Sequence, residues 1–126
     1  MKLMKLEIVT PQGVTFDSDV KQVTLPGAEG EFGVLADHAT LVSLLTTGVI
    51  SIETENSSKL DVAINSGYVK VNEGKVSCLV DGAVALTPGD NDIAKKIEEA
   101  KELLKGASGS DTAIATAISR VERIGK

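Results

Sequence analysis

The sequence predicts an N-terminal antiparallel β-sandwich followed by a C-terminal antiparallel two-helix hairpin, and three observations predict it. From Leu3 to about Leu86, short runs rich in Val, Ile and Leu are interrupted every 8 to 14 residues by Gly, Pro, Asn or Asp, the pattern of an all-β sandwich or barrel. Beyond residue 92 the apolar period lengthens from about two residues to that of a helix, near 3.6. Between the two regimes stands Pro88-Gly89-Asp90-Asn91-Asp92, where Pro cannot donate to a sheet ladder and the Asp and Asn side chains offer helix N-cap oxygens. The division is therefore 1–88 for the sandwich and 89–126 for the hairpin.

In chain order, Leu6 and Ile8 alternate with Lys5, Glu7 and Val9, and Val23 and Leu25 alternate with Gln22 and Thr24. Further strands are expected at Val14–Phe16, Phe32–Leu35, Thr40–Thr46, Val49–Glu53, Leu60–Asn65, Tyr68–Val71, Val76–Val80 and Ala83–Leu86. Turns fall at Pro11-Gln12-Gly13, Glu55-Asn56-Ser57-Ser58 and Asn72-Glu73-Gly74. The gaps are too short for crossover helices, which argues against a parallel sheet. In the tail, Ile93, Ile97, Ala100 and Leu104 form one helical stripe among Lys and Glu residues at neighbouring helical positions. Gly106-Ala107-Ser108-Gly109-Ser110 ends that helix and forms a loose hinge. Ile114, Ala117, Ile118, Val121 and Ile124 make the second stripe, with Thr116, Arg120 and Arg123 on or near the other side. Helices this short are marginal alone, so the pair either caps the sandwich or moves against it.

Composition narrows the function. Aromatic residues make up only 2% of the chain against 42% hydrophobic, so the core must be aliphatic. The net charge of −5 is uneven: residues 1–89 hold 6 Lys against 11 acids, whereas residues 90–126 hold 7 basic residues against 7 acids. An acidic domain without a basic face excludes nucleic acid, whose phosphates supply most of such affinity. Cys78 is the only cysteine, so no internal disulfide forms and an oxidising compartment is not implied. No stretch approaches the ~18 apolar residues of a membrane span, and the N-terminal residues run directly into a strand pattern without a signal-peptide core. Direct membrane insertion is not expected; association with a membrane would come through a partner.

No catalytic constellation emerges. A metal site would have to combine the single histidine, His38, with Cys78 and carboxylates at no ligand spacing, and Cys78 shares a strand face with Val76 and Val80, the position of a small buried hydrophobe. Gly27-Ala28-Glu29-Gly30-Glu31-Phe32-Gly33 lacks the G-x-G-x-x-G spacing, carries two acids and precedes no helix, so its glycines serve turn geometry and not phosphate. The candidates left are surface loops, among them Ala36–Ala39 with Asp37 and His38 side by side.

Val23-Thr24-Leu25-Pro26-Gly27-Ala28-Glu29-Gly30-Glu31-Phe32-Gly33-Val34-Leu35, then His38-Ala39, Leu41-Val42 and Gly48-Val49-Ile50, resembles the epsilon subunit of F-type ATP synthases. The likeness continues through Gly67-Tyr68-Val69-Lys70-Val71 and Val76–Ala83 into the helical tail, and so covers nearly the whole chain. It implies a non-catalytic central-stalk rotor subunit without cofactors, peripheral at the cytoplasmic face of the bacterial inner membrane. Its sandwich would bind the gamma subunit and sit on the c-ring, passing ion-driven rotation to the catalytic alpha/beta head. By match to the family's loop, Glu31 and His38 fall at the c-ring contact. The tail would shift from a compact hairpin to an extended form that restrains ATP hydrolysis, with Arg120 and Arg123 facing acidic loops of the catalytic subunits. The alternative for those arginines is plain solvation at a helix C-terminus.

Some members of this family bind ATP through an acid, two variable residues, an arginine and an alanine at the start of the first tail helix. Here the stretch reads Asp92-Ile93-Ala94-Lys95-Lys96, so Lys95 stands for the arginine and Lys96 for the alanine. A lysine is a point charge without the planar fork of arginine, which weakens the case for ATP as a regulatory ligand. A free-standing nucleotide-sensing module built on Asp92 and Lys95 is the alternative function, and an unrelated sandwich enzyme is a third.

Overall fold

The computed structural model describes residues 2–36, 40–87, 91–106 and 111–124. Among the described residues, nine strands precede two helices: β1 (Met4–Thr10), β2 (Gly13–Gly27), β3 (Gly30–Leu35), β4 (Leu41–Leu45), β5 (Gly48–Thr54), β6 (Lys59–Ile64), β7 (Gly67–Asn72), β8 (Lys75–Val80), β9 (Ala83–Leu86), α1 (Ile93–Lys105) and α2 (Asp111–Ile124). The hydrogen-bonded order is β1-β8-β7-β4-β2-β5-β6-β9, with β3 attached to β2 and β1 also paired to β2. The proposed boundary between residues 88 and 89 lies outside the described residues.

β2 organises the sandwich. The sequence suggests two separate strands, Val14–Phe16 and a second around Val23, yet the chain stays extended through Asp17-Ser18-Asp19. These polar residues are exposed because β2 there pairs only with β1, while from Gln22 onward it pairs with β3 and β5. Lys21 is the extra residue between Val20, opposite Thr54, and Gln22, opposite Glu53. Such a bulge bends a strand and lets it pass from one layer to the other.

One ladder departs from the antiparallel expectation: β1 and β8 run parallel, Leu6 opposite Val76 and Ile8 opposite Cys78. Short crossover connections are irrelevant to this pair, because most of the sandwich lies between its two strands. All the other ladders are antiparallel, as the short turns require.

Alternation along the strands builds the main core. Leu6, Ile8, Val23, Leu25, Ile50, Ile52, Val62, Ile64, Val69, Val71, Val76 and Cys78 are all buried in a single aliphatic cluster between the layers. β5, β6 and β9 are also apolar on their outer face. Val49, Ala63 and Leu86 join Ile97, Ala100 and Leu104 of α1 and Ala117 and Val121 of α2 in a second cluster, so the hairpin lies on that outer face. α1 begins at Asp92, whose carbonyl accepts from the Lys96 N–H at 3.0 Å. Contrary to the expected side-chain cap, its carboxylate makes no capping hydrogen bond. Gly106 closes α1 in a right-handed conformation, donating to the Glu102 carbonyl at 3.1 Å. The rest of the expected hinge, Ala107–Ser110, lies outside the described residues.

The two clusters respond differently to truncation. Ile50→Ala removes packing between the layers and lowers global stability by roughly 2–5 kcal/mol in urea unfolding. Leu104→Ala opens the space beneath the hairpin, so amide exchange rises in α1 and α2 while β1, β7 and β8 keep their protection. Equal loosening of every element by Leu104→Ala would contradict separate cores.

Candidate partner-binding surfaces

The glycine-rich stretch is the β2–β3 turn, with Gly27 opposite Gly30 and Pro26 opposite Glu31. A side chain at Gly27 would place its Cβ 2.7 Å from the Gly30 carbonyl oxygen and 2.8 Å from the Phe32 ring, and Gly30 adopts φ +128°. Only glycine satisfies both positions at low cost. Two hydrogen bonds tie this turn to the end of β4: the Ala28 N–H donates to the Leu44 carbonyl at 3.1 Å and the Thr46 N–H to the Pro26 carbonyl at 2.8 Å. Glu31 therefore projects from a fixed support.

Its carboxylate is exposed and receives a hydrogen bond from Arg120 Nη1 at 2.9 Å. Arg120 Nη2 donates to Ser51 Oγ at 2.6 Å, and Ser51 in turn donates to Asp61 Oδ1 at 3.1 Å across the β5–β6 ladder. A continuous polar chain thus runs from β3 through α2 to β5 and β6. Arg120 is half-buried and Arg123 exposed, and both border a cleft of about 600 Å³ between α2 and the sandwich, which Pro26, Glu31, Thr46 and Thr116 also line.

The sequence treats Glu31 and Arg120 as contacts for different partners; the structure brings them together. Arg120 sits one helical turn from buried Ala117 and so flanks the apolar stripe instead of opposing it. His38, with Asp37, lies outside the described residues. Asp92 and Lys95 are exposed at the start of α1, and neither lines the cleft.

A further surface was not singled out from sequence. On the outer face of the other layer, Leu44 lies opposite Tyr68 and Tyr68 opposite Leu79. These side chains are 67%, 44% and 40% exposed, and Val42 on the same face of β4 is 68% exposed. A continuous row of large apolar groups in water marks an interaction site more strongly than scattered ones. The signal available in sequence was Leu41-Val42-Ser43-Leu44-Leu45, which is more apolar than alternation for a half-buried strand demands.

Cys78 has no access to solvent, and burial pushes its thiol up from 9.0 to about 12. Among the described residues there is no group of three or more His, Cys, Asp or Glu able to hold a metal ion. Likewise, no described helix is long and apolar enough to cross a membrane.

The features that stand out are surfaces: an apolar row, a fixed acidic turn and a docked basic helix. They define a protein built for binding partners. A family model described as the ATP synthase delta/epsilon chain β-sandwich domain matches residues 3–86. The ATP synthase epsilon chain of Sulfurovum sp. is 70% identical over 100% of this chain and 98% of the relative. That of Nitratiruptor sp. is 52% identical over 100% of this chain and 98% of the relative. The chain belongs to the ATP synthase epsilon-chain family, a non-catalytic subunit of F-type ATP synthase. Among solved structures, it is similar to a chain of the Euglena gracilis mitochondrial ATP synthase captured with OSCP, F1 and c-ring. There the identity is 25% and the TM-score 0.64, over 97% of this chain and 74% of that one. A chain of the Tetrahymena thermophila central stalk and c-ring structure shares the fold at 16% identity and TM-score 0.54, over 98% and 92% of the two chains.

Burial of Cys78 yields a pH-dependent expectation. The unfolded thiol ionises before the native one, so its contribution to stability is intact below about pH 9 and is lost as pH rises toward about 12. At pH 8, iodoacetamide should alkylate the native chain more slowly than a free thiol by on the order of a hundredfold or more, and urea should restore the rate. A native rate near that of free cysteine would contradict this burial.

Proposed function

We propose that this chain is the central-stalk coupling subunit that joins a rotating membrane ring to the catalytic head, at the cytoplasmic face of the bacterial inner membrane. The observation that carries the proposal is the apolar row Leu44, Tyr68 and Leu79, extended by Val42, on a face of the sandwich that the hairpin leaves uncovered. Gamma is the assigned occupant, since a stalk subunit needs a lasting, largely apolar contact to turn with its axle. Support comes from relatives named as ATP synthase epsilon chains and from a structural neighbour held in a complex with F1 and c-ring.

The ring contact falls to Glu31 and His38. A carboxylate on a rigid turn meets polar ring loops without entering lipid, and such contacts add specificity and faster association. The tail meets the head through Arg123, and through Arg120 once that residue leaves Glu31; in this extended state it restrains ATP hydrolysis. Asp92 and Lys95 receive no ligand in this scheme.

Placing a carboxylate in the apolar row tests the assignment. Leu44→Asp and Tyr68→Asp, at exposed positions, should leave the fold unchanged by circular dichroism. They should weaken gamma binding by roughly tenfold or more, the scale expected for truncating a central interface residue. Wild-type affinity in both variants, measured by calorimetry, would refute gamma docking on this face.

A further inference from the structure

We propose that the Glu31–Arg120 contact makes hairpin docking and ring engagement compete for one carboxylate. Glu31 bears its cation on a turn that Gly27, Gly30 and two hydrogen bonds to β4 hold in place. The movable partner is therefore α2. Among the residues of α2 whose side chains are described, Ala117 and Val121 are buried and Ile118 and Ile124 are partly buried against the same cluster. A 14-residue helix is marginal alone, so the polar contact at Arg120 adds to this apolar packing in holding it on the sandwich.

The chemistry of an occupant follows from the carboxylate: a lysine or arginine side chain on an exposed loop of the ring. When such a cation takes Glu31, half-buried Arg120 keeps the Ser51 hydroxyl, with Asp61 one hydrogen bond further on. The helix then loses its connection to β3 and loosens. Coupling between two binding events is reciprocal, so a docked α2 also weakens the grip of Glu31 on the ring. This competition rests on the assignment of Glu31 to the ring contact and adds to it a link between the two ends of the molecule.

The test uses the full chain in complex with gamma, binding purified c-ring at low salt, with amide exchange of α2 followed in parallel. Arg120→Gln should speed α2 exchange and strengthen ring binding by roughly two- to five-fold, the range an exposed ion pair supports. Ring binding to the wild-type complex should itself speed α2 exchange. Exchanging the charges, Glu31→Arg with Arg120→Glu, should restore α2 protection while ring binding is lost. Glu122→Gln, at an exposed position of the same helix, should match wild type in both readouts.

Unchanged ring affinity in Arg120→Gln, with α2 exchange indifferent to the ring, would overturn the competition. If Glu31→Gln still weakened ring binding in that case, the ring contact would survive without it. Full ring affinity in Glu31→Gln would remove both.

Discussion

Strands β5 and β6 carry apolar side chains on both faces, and the rest of the molecule is arranged around that constraint. Ile50, Ile52, Val62 and Ile64 fill the space between the layers, while Val49 and Ala63 face outward and are still fully covered. An outward apolar surface of this kind must be buried by something, at roughly 25 cal/mol for each Å² kept from water. The hairpin supplies that cover through Ile97, Ala100, Leu104, Ala117 and Val121. The tail is thus part of the domain's solvation and not an appendage, and whatever displaces it must cover or expose the same residues.

The opposite outer face meets the same problem differently. No part of the described chain covers Leu44, Tyr68 and Leu79, the face proposed above as the docking site for gamma. The apolar row and the acidic turn are also mechanically joined. Leu44 contributes its side chain to the apolar row and its carbonyl to the Ala28 N–H of the turn that bears Glu31. Gamma docking on β4 would therefore stiffen the support of the acidic turn, and that turn holds Arg120. A load applied to the row is separated from the tail by a few hydrogen bonds.

Local periodicity made most of this architecture readable in the sequence. Alternating strands such as Val76-Ser77-Cys78 and the 3.6-residue stripe of α1 depend on which face is apolar, and neighbouring residues record that. The continuity of β2 was hidden because Asp17-Ser18-Asp19 is polar for a local reason, its exposure on a stretch paired only with β1. The parallel β1–β8 ladder leaves no local trace at all, since it joins distant segments. The same limit applied to the site. Glu31 and Arg120 were each visible as surface charges, but their contact spans 89 positions and depends on how the hairpin lands. Position on the helical wheel also misled: Arg120 lies at the edge of the buried stripe, where a long side chain reaches the sandwich.

Gamma docking on the β4, β7 and β8 face, as proposed above, can be read at a single side chain. Tyr68 is the only tyrosine of the chain and stands in the middle of the row, 44% exposed. Hydroxyl-radical footprinting by mass spectrometry, with and without gamma, reads its burial directly in the full chain. Oxidation of Tyr68 should fall sharply in the complex, together with that of Leu44 and Leu79, while Ile93 at the start of α1 keeps its reactivity. Unchanged oxidation of Tyr68 in a complex shown by mass to be fully formed would contradict it.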